Sequence, residues 1–95
     1  MNNDLDYQLG RVVYSRSGRD AGRCFVVVCQ LEEGFVGIAD GCIRKLANPK
    51  KKKLKHLDPK PAVLQAIAQK LANHQKVYDS EIRSALEAAG FNTRA

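Results

Sequence analysis

Gly10-Arg-Val-Val-Tyr-Ser-Arg-Ser-Gly-Arg-Asp-Ala-Gly-Arg-Cys-Phe-Val-Val-Val28 decides the fold. Two runs able to form strands flank a loop at residues 15–23. Val12 and Val13 lead in, and Cys24 through Val28 lead out. The loop carries Arg16, Arg19 and Arg23 with Gly18 and Gly22. Glycine lets a backbone turn sharply and approach a ligand closely. Arginine on such a loop suits planar, bidentate contact with phosphate. In that reading Ser15 and Ser17 add hydroxyl hydrogen bonds, while Asp20 braces the loop through backbone N–H groups or an arginine. The same residues also fit a solvated hairpin loop that holds no ligand.

Outward from this stretch the chain reads as short strands and turns. Strands are expected at about 10–15, 23–30, 35–39 and 43–46, with a fifth near 53–57. Glu33-Gly34 marks one turn, and Asp40-Gly41 marks a tight hairpin in which both central residues need positive φ. Strands this short and numerous close or half-close into a barrel more readily than they form an open sheet. After Asp58 the pattern changes to helix. Pro61 suits a first helical turn, Leu64, Ile67, Ala68 and Leu71 recur at helical spacing, and Asn73 is a stop. A second helix should begin at Asp79 or Ser80. Its apolar face is Ile82, Ala85, Leu86 and Ala89, and Gly90 ends it, with Phe91 folding back on Leu86. Both helices are amphipathic, so each must cover the barrel, its neighbour or a partner. The expected organisation is a lead-in at 1–9, a barrel at 10–58 and a helical extension at 59–95.

The charge is concentrated. Sixteen Lys and Arg against ten Asp and Glu leave a net +6. Residues 10–60 hold twelve basic and five acidic side chains, whereas residues 61–95 hold four and three. A polyanion would therefore dock on the first part of the fold. The segment Asp40-Gly-Cys-Ile-Arg-Lys-Leu-Ala-Asn-Pro-Lys-Lys-Lys-Lys-Leu-Lys-His56 supplies eight of these basic or imidazole groups among its seventeen residues. Leu46, Leu54 and Leu57 interrupt the run, so it can be anchored while its charges face outward. Such a run attracts phosphate without regard to sequence. Runs of this kind also occur as nuclear-import signals and membrane-surface patches, but no apolar moment or lipid anchor stands beside this one.

These residues carry a resemblance. Residues 10–28 resemble the KOW motif of ribosomal proteins and transcription-elongation factors, with Gly22 at the hallmark glycine. The continuation through Val36-Gly-Ile38, Asp40-Gly41, Arg44-Lys45 and Pro49-Lys50 to His56-Leu57 is similar to the KOW-type large-subunit ribosomal proteins of archaea and eukaryotes. Similar short bacterial proteins are described as KOW-domain RNA-binding proteins. The likeness spans residues 9–58, and 59–95 match no element of that family. What it implies is a mainly β fold, an SH3-like barrel, here with a two-helix C-terminal extension. It also implies a cytoplasmic, ribosome-associated protein that binds large-subunit ribosomal RNA through basic loops, without catalysis or cofactor. On this sequence the RNA-binding residues would be Ser15, Arg16, Ser17, Gly18, Arg19, Gly22, Arg23, Arg44, Lys45, Lys50, Lys51, Lys52, Lys53, Lys55 and His56.

Other classes are weaker. The amino terminus lacks a secretory pattern, and no apolar stretch approaches the roughly 20 residues of a membrane span. Three cysteines, an odd number, point to a reducing compartment rather than a disulfide framework. Cys24, Cys29, Cys42 and His56 lack the close Cys-x-x-Cys pair of a zinc site, so the cysteines read as buried small apolar residues. Cys24 and Cys29, an odd number apart, should face opposite sides of a strand. His74 favours a helix end. No nucleophile–base set or carboxylate pair converges, so no enzyme is expected. A protein-interaction module remains an alternative: a transcription-associated KOW factor contacting polymerase, or a contact made through helices in 61–90. The lack of Trp argues against an aromatic-lined peptide groove. DNA binding shares the same electrostatics.

Overall fold

The strand Cys24–Gln30 is buried at every residue from Cys24 to Val28. A continuous apolar run of this length needs cover on both faces. The computed structural model, which describes residues 7–92, supplies it. Five antiparallel strands, β1 (Arg11–Ser15), β2 (Cys24–Gln30), β3 (Phe35–Ala39), β4 (Lys50–Lys53) and β5 (Leu57–Val63), lie in the order β4-β3-β2-β1-β5. Val12, Cys24, Val26, Val28 and Ala39 form one apolar face, and Val13, Phe25, Val27, Val36, Ile38 and Leu57 form the other. Side-chain alternation along each strand separates the two sets.

The sheet is not closed, but it is strongly curled. Its two outer strands, β4 and β5, are consecutive in sequence and joined by a single 3-10 turn, Leu54–His56. Four residues reach at most about 14 Å, whereas the edges of a flat five-strand sheet stand about 19 Å apart. The sheet must therefore bend to bring its edges together. Register shifts between Arg11 and Val13 and between Val27 and Cys29 mark where it does so, since a bulge bends a strand and increases its twist. The concave face, with Tyr7, Leu9 and Leu54 at its margin, is the interior of a half-barrel.

Two helices close the convex face. α1 (Gln65–Ala72) and α2 (Asp79–Ala88) bury Ile67, Ile82 and Leu86 in the same cluster as Val12, Val26 and Val28. Of the three covers left open by their amphipathic pattern, they take the sheet, and Lys70 of α1 also meets Glu81 of α2 at 2.6 Å. At the start of α2 the backbone N–H of Tyr78 donates to Glu81 Oε1 at 3.0 Å. Asp79 and Glu81 in the first turn also complement the helix dipole. At its end Gly90 has φ +90° and Phe91 N–H returns to the Leu86 carbonyl at 2.8 Å, the expected left-handed stop. Asn92 then brackets Cys24, accepting its N–H at 3.0 Å and donating to its carbonyl at 2.6 Å.

Several expectations change. Residues 43–46 form no strand. Only Gly41 of the Asp40-Gly41 pair has positive φ, so the hairpin turn does not form. Instead Asp40 Oδ1 accepts the N–H groups of Cys42 and Arg44, each at 2.9 Å, and folds the segment into a loop. The partner of β3 is the lysine run itself, paired from Phe35↔Lys53 to Ile38↔Lys50. The expected strand at 53–57 is mostly the 3-10 turn. Pro61 lies in β5, not in a helix, and β5 runs across the boundary expected at 58/59. Finally, Cys24 is buried, Cys29 is half-buried and Cys42, in the Asp40 loop, is exposed. The shift after Val27 turns Cys29 to the same face as Cys24. The expected lead-in lies outside the described residues as far as residue 6.

Candidate nucleic-acid interface

The loop between β1 and β2 is tied at several points. Ser15, fully buried, donates its N–H to the Arg23 carbonyl at 3.0 Å and accepts the Gly22 N–H at 2.9 Å. Ala21 N–H reaches the Gly18 carbonyl at 3.2 Å, and the Ser15 hydroxyl donates to the Ser17 carbonyl at 3.3 Å. Gly22 has φ +91°, and nothing lies within 4 Å of where a Cβ would stand. Glycine is required there by the backbone conformation and not by crowding.

Two buried carboxylates clamp this loop to the one at residues 40–49. Arg23 donates to Asp40 Oδ2 through Nη2 at 2.9 Å and Nε at 3.3 Å. Arg44 Nε donates to both oxygens of Asp20, at 3.2 and 3.1 Å. The pairs are reciprocal, each loop giving one acid and one arginine. The aspartate side chains are 1% and 3% exposed. Burying a carboxylate that deep is tolerated only where partners replace its lost hydration. The expected brace at Asp20 is present, and its partner is an arginine from a distant segment. The second loop is seated in turn on α2: Leu46 N–H donates to Asp79 Oδ1 at 2.8 Å, and Arg83 Nη1 donates to the Gly41 carbonyl at 2.6 Å. A Cβ on Gly41 would strike the Asp79 carbonyl.

The β1–β2 loop also leans on the lysine strand. Lys52, 8% exposed, donates from Nζ to the Ser17 carbonyl at 3.0 Å. Arg16 donates its backbone N–H to the His56 carbonyl at 3.0 Å and its Nη2 to the Lys55 carbonyl. Its Nε stands 3.5 Å from Asp58 in an exposed pair, which contributes little in water. The His56 imidazole is held below its ordinary value, first by desolvation and then by Lys55, Lys53, Lys52 and Arg16. Four cations acting on one ring mark a local positive field.

The expected site residues thus separate into two groups. Arg23, Arg44 and Lys52 are engaged within the fold, and Lys51 is held by Glu32 at 2.6 Å and over the Phe35 ring at 4.6 Å. That hydrogen bond lowers the Glu32 carboxyl below its usual range. Arg19, Lys45, Lys50, Lys53 and Lys55 are exposed, and among the described residues no ion pair or side-chain hydrogen bond holds them. Arg16, Lys53, Lys55 and His56 gather around the 3-10 turn, with Arg19 on the loop above it. Sequence reasoning missed Asp40 as the second brace. An Asp at the start of a loop, able to accept N–H groups two and four residues on, was the available signal.

Burial raises the Cys24 thiol. No group of three His, Cys, Asp or Glu side chains among the described residues could hold a metal ion. No helix among them is long and apolar enough to cross a membrane. No family model matches the chain. The likeness to KOW proteins rests on residues 9–58 themselves.

Proposed function

We propose that this protein binds RNA, that its partner is large-subunit ribosomal RNA, and that it works in the cytoplasm in association with the ribosome. The observation that carries the reading is the clustering of Arg16, Lys53, Lys55 and His56 where the β1–β2 loop meets the 3-10 turn, with Arg19 exposed on the same loop. Asp58 is their one ion-pair partner among the described residues. A mainly β half-barrel with Gly22 in the left-handed conformation fits the KOW likeness. Cations held on a braced frame meet phosphate without first being ordered, so less entropy opposes binding. Such contacts position an RNA and release counterions.

The test is sedimentation of the tagged full-length protein through sucrose gradients at rising salt. Migration with large subunits at low salt and release at high salt is the expected result. Arg16→Ala with Arg19→Ala should release at lower salt and reduce the log–log salt slope by about 2, with melting nearly unchanged. Wild-type protein at the top of the gradient at every salt concentration would make the ribosome the wrong partner. A protein contact has one observation behind it, an apolar recess of about 560 Å³ between α1 and α2, lined by Leu64, Ile67, Ala85 and Ala89 among others.

A further inference from the structure

Beside the 3-10 turn, two adjoining recesses share Tyr7, Glu33, Gly34, Phe35 and Leu54. The larger, about 520 Å³, extends to Lys53 and Lys55, and its size falls within the usual range for small-molecule sites. Its floor is set by the interior core, against which Tyr7 and Leu54 pack. The Tyr7 hydroxyl is anchored on the Leu57 carbonyl at 3.4 Å. The 3-10 turn is tied to the β2–β3 turn where Leu54 N–H donates to the Gly34 carbonyl at 3.0 Å.

The rim has a distinctive charge pattern. Lys53, Lys55 and Glu33 all line the larger recess, exposed and without an ion pair or side-chain hydrogen bond among the described residues. Glu32, next in sequence, is already taken by Lys51. A ligand that satisfies this cleft has a flat apolar body, an anionic group for the lysines and hydrogen-bond donors for Glu33. Free phosphate would use the lysines and leave the floor and Glu33 idle. A basic peptide would meet the lysines, and an acidic one would meet Glu33.

A nucleotide has all three features. Among the RNA bases, guanine alone presents two adjacent donors, N1–H and N2–H, to one carboxylate, the geometry that makes charge-assisted pairs strong. We propose that this cleft takes one unpaired guanine nucleotide of a bound RNA strand. The base lies against Tyr7 and Leu54, its donor edge meets Glu33, and its phosphate meets Lys53 and Lys55. The inference rests on the RNA-binding reading and adds a base preference to it. Lys53 and Lys55 belong to both surfaces, so a strand tracking Arg16 and Lys55 passes the mouth of the cleft.

The test uses the full-length protein and short uridine oligomers carrying a single central G, A, C or U, with binding read by fluorescence anisotropy. The G oligomer should bind about tenfold more tightly than the others. Glu33→Gln, on an exposed turn, should abolish that preference and leave melting unchanged. Lys53→Ala with Lys55→Ala should weaken all four oligomers alike. In NMR spectra guanosine monophosphate should shift Tyr7 and Leu54, and inorganic phosphate should not. Equal, salt-sensitive affinity for all four oligomers would overturn the cleft assignment and leave the RNA-binding reading standing, as would a guanine preference that survives Glu33→Gln. No binding of any oligomer or structured RNA at low salt would overturn both.

Discussion

Arg23 is the residue at which a structural and an RNA-binding role give opposite results. Its guanidinium meets Asp40 Oδ2 at 2.9 and 3.3 Å, with the arginine side chain 40% exposed and the aspartate 1%. Two unit charges about 4 Å apart attract by about 4 kcal/mol at an effective dielectric near 20. Partial exposure of the arginine and salt reduce this to about 1.5–2 kcal/mol of usable coupling. Arg23→Ala also strands a carboxylate. Full loss of a buried partner costs about 3–5 kcal/mol, but Asp40 keeps the Cys42 and Arg44 N–H groups on its other oxygen, so about 2–3 kcal/mol is expected. For a domain of this size that lowers Tm by roughly 10–20 °C. Asp40→Asn retains an acceptor for both N–H groups and should lose about 2 kcal/mol.

The assay is urea denaturation of the two single variants and the double, with Arg19→Ala as control. The double variant should be less destabilised than the sum of the singles by about 1.5 kcal/mol, and Arg19→Ala should leave stability unchanged. RNA affinity per folded molecule should fall with Arg19→Ala and hold with Arg23→Ala. A coupling within about 0.5 kcal/mol of zero, the usual scatter for independent sites, would refute the clamp. So would an Arg23→Ala protein of unchanged stability and reduced RNA affinity, which would make Arg23 a phosphate contact after all.

Further outcomes follow from the helices and from His56. Ile82 is fully buried against the sheet, so Ile82→Ala should lose about 2–5 kcal/mol in urea denaturation. A chain ending at Val63 should not fold, and native-like melting of that fragment would show that the helices are dispensable. The His56 imidazole of the free protein should titrate below its ordinary value by NMR, because desolvation and four neighbouring cations disfavour its charged form. A bound polyanion offsets those cations and raises the value, so binding takes up protons. Affinity should therefore strengthen as pH falls from about 7.5 toward 5, and His56→Gln should flatten the trend. An RNA affinity independent of pH in the wild-type protein would place His56 away from the bound phosphates.

What the sequence revealed and what it hid divide along local and non-local lines. β1, β2, β3 and α2 were legible because each has its own pattern: a Val-rich run, a Gly34 turn, an acidic first turn, a Gly90 stop. The strand at 50–53 was not. Four consecutive lysines have no hydrophobic alternation, and they pair with β3 because residues 40–49 loop back under the control of Asp40. Residues 43–46 misled for the same reason. They follow an Asp-Gly pair that reads as a hairpin turn, yet Leu46 gives its N–H to Asp79, thirty-three residues away. Pro61 carries a helical preference at N1 and also an edge-strand one, and pairing with β1 selected the second. In the candidate site the arginine loop was visible as a motif. The division of its arginines between Asp40 and solvent was not, since it depends on which carboxylates the fold buries.

The lysine run is weaker support for nucleic-acid binding than its composition suggests. β4 is one edge of the sheet, β5 is the other, and an edge strand with open N–H and C=O groups invites pairing with another chain. Lysine on one edge and proline on the other are two of the devices that block it, and β5 carries Pro59 and Pro61. Edge protection accounts for Lys50 and Lys51, and the bond to Ser17 accounts for Lys52. It does not account for Arg16, Arg19, Lys55 or His56, which lie outside the ladder, in the loop and the 3-10 turn. Solubility alone would not need Arg16, Lys53 and Lys55 gathered around the His56 ring, whose protonation they oppose. The case for an RNA partner therefore rests on these four residues with Lys53 beside them, and the remaining lysines would be expected in a protein that binds no nucleic acid at all.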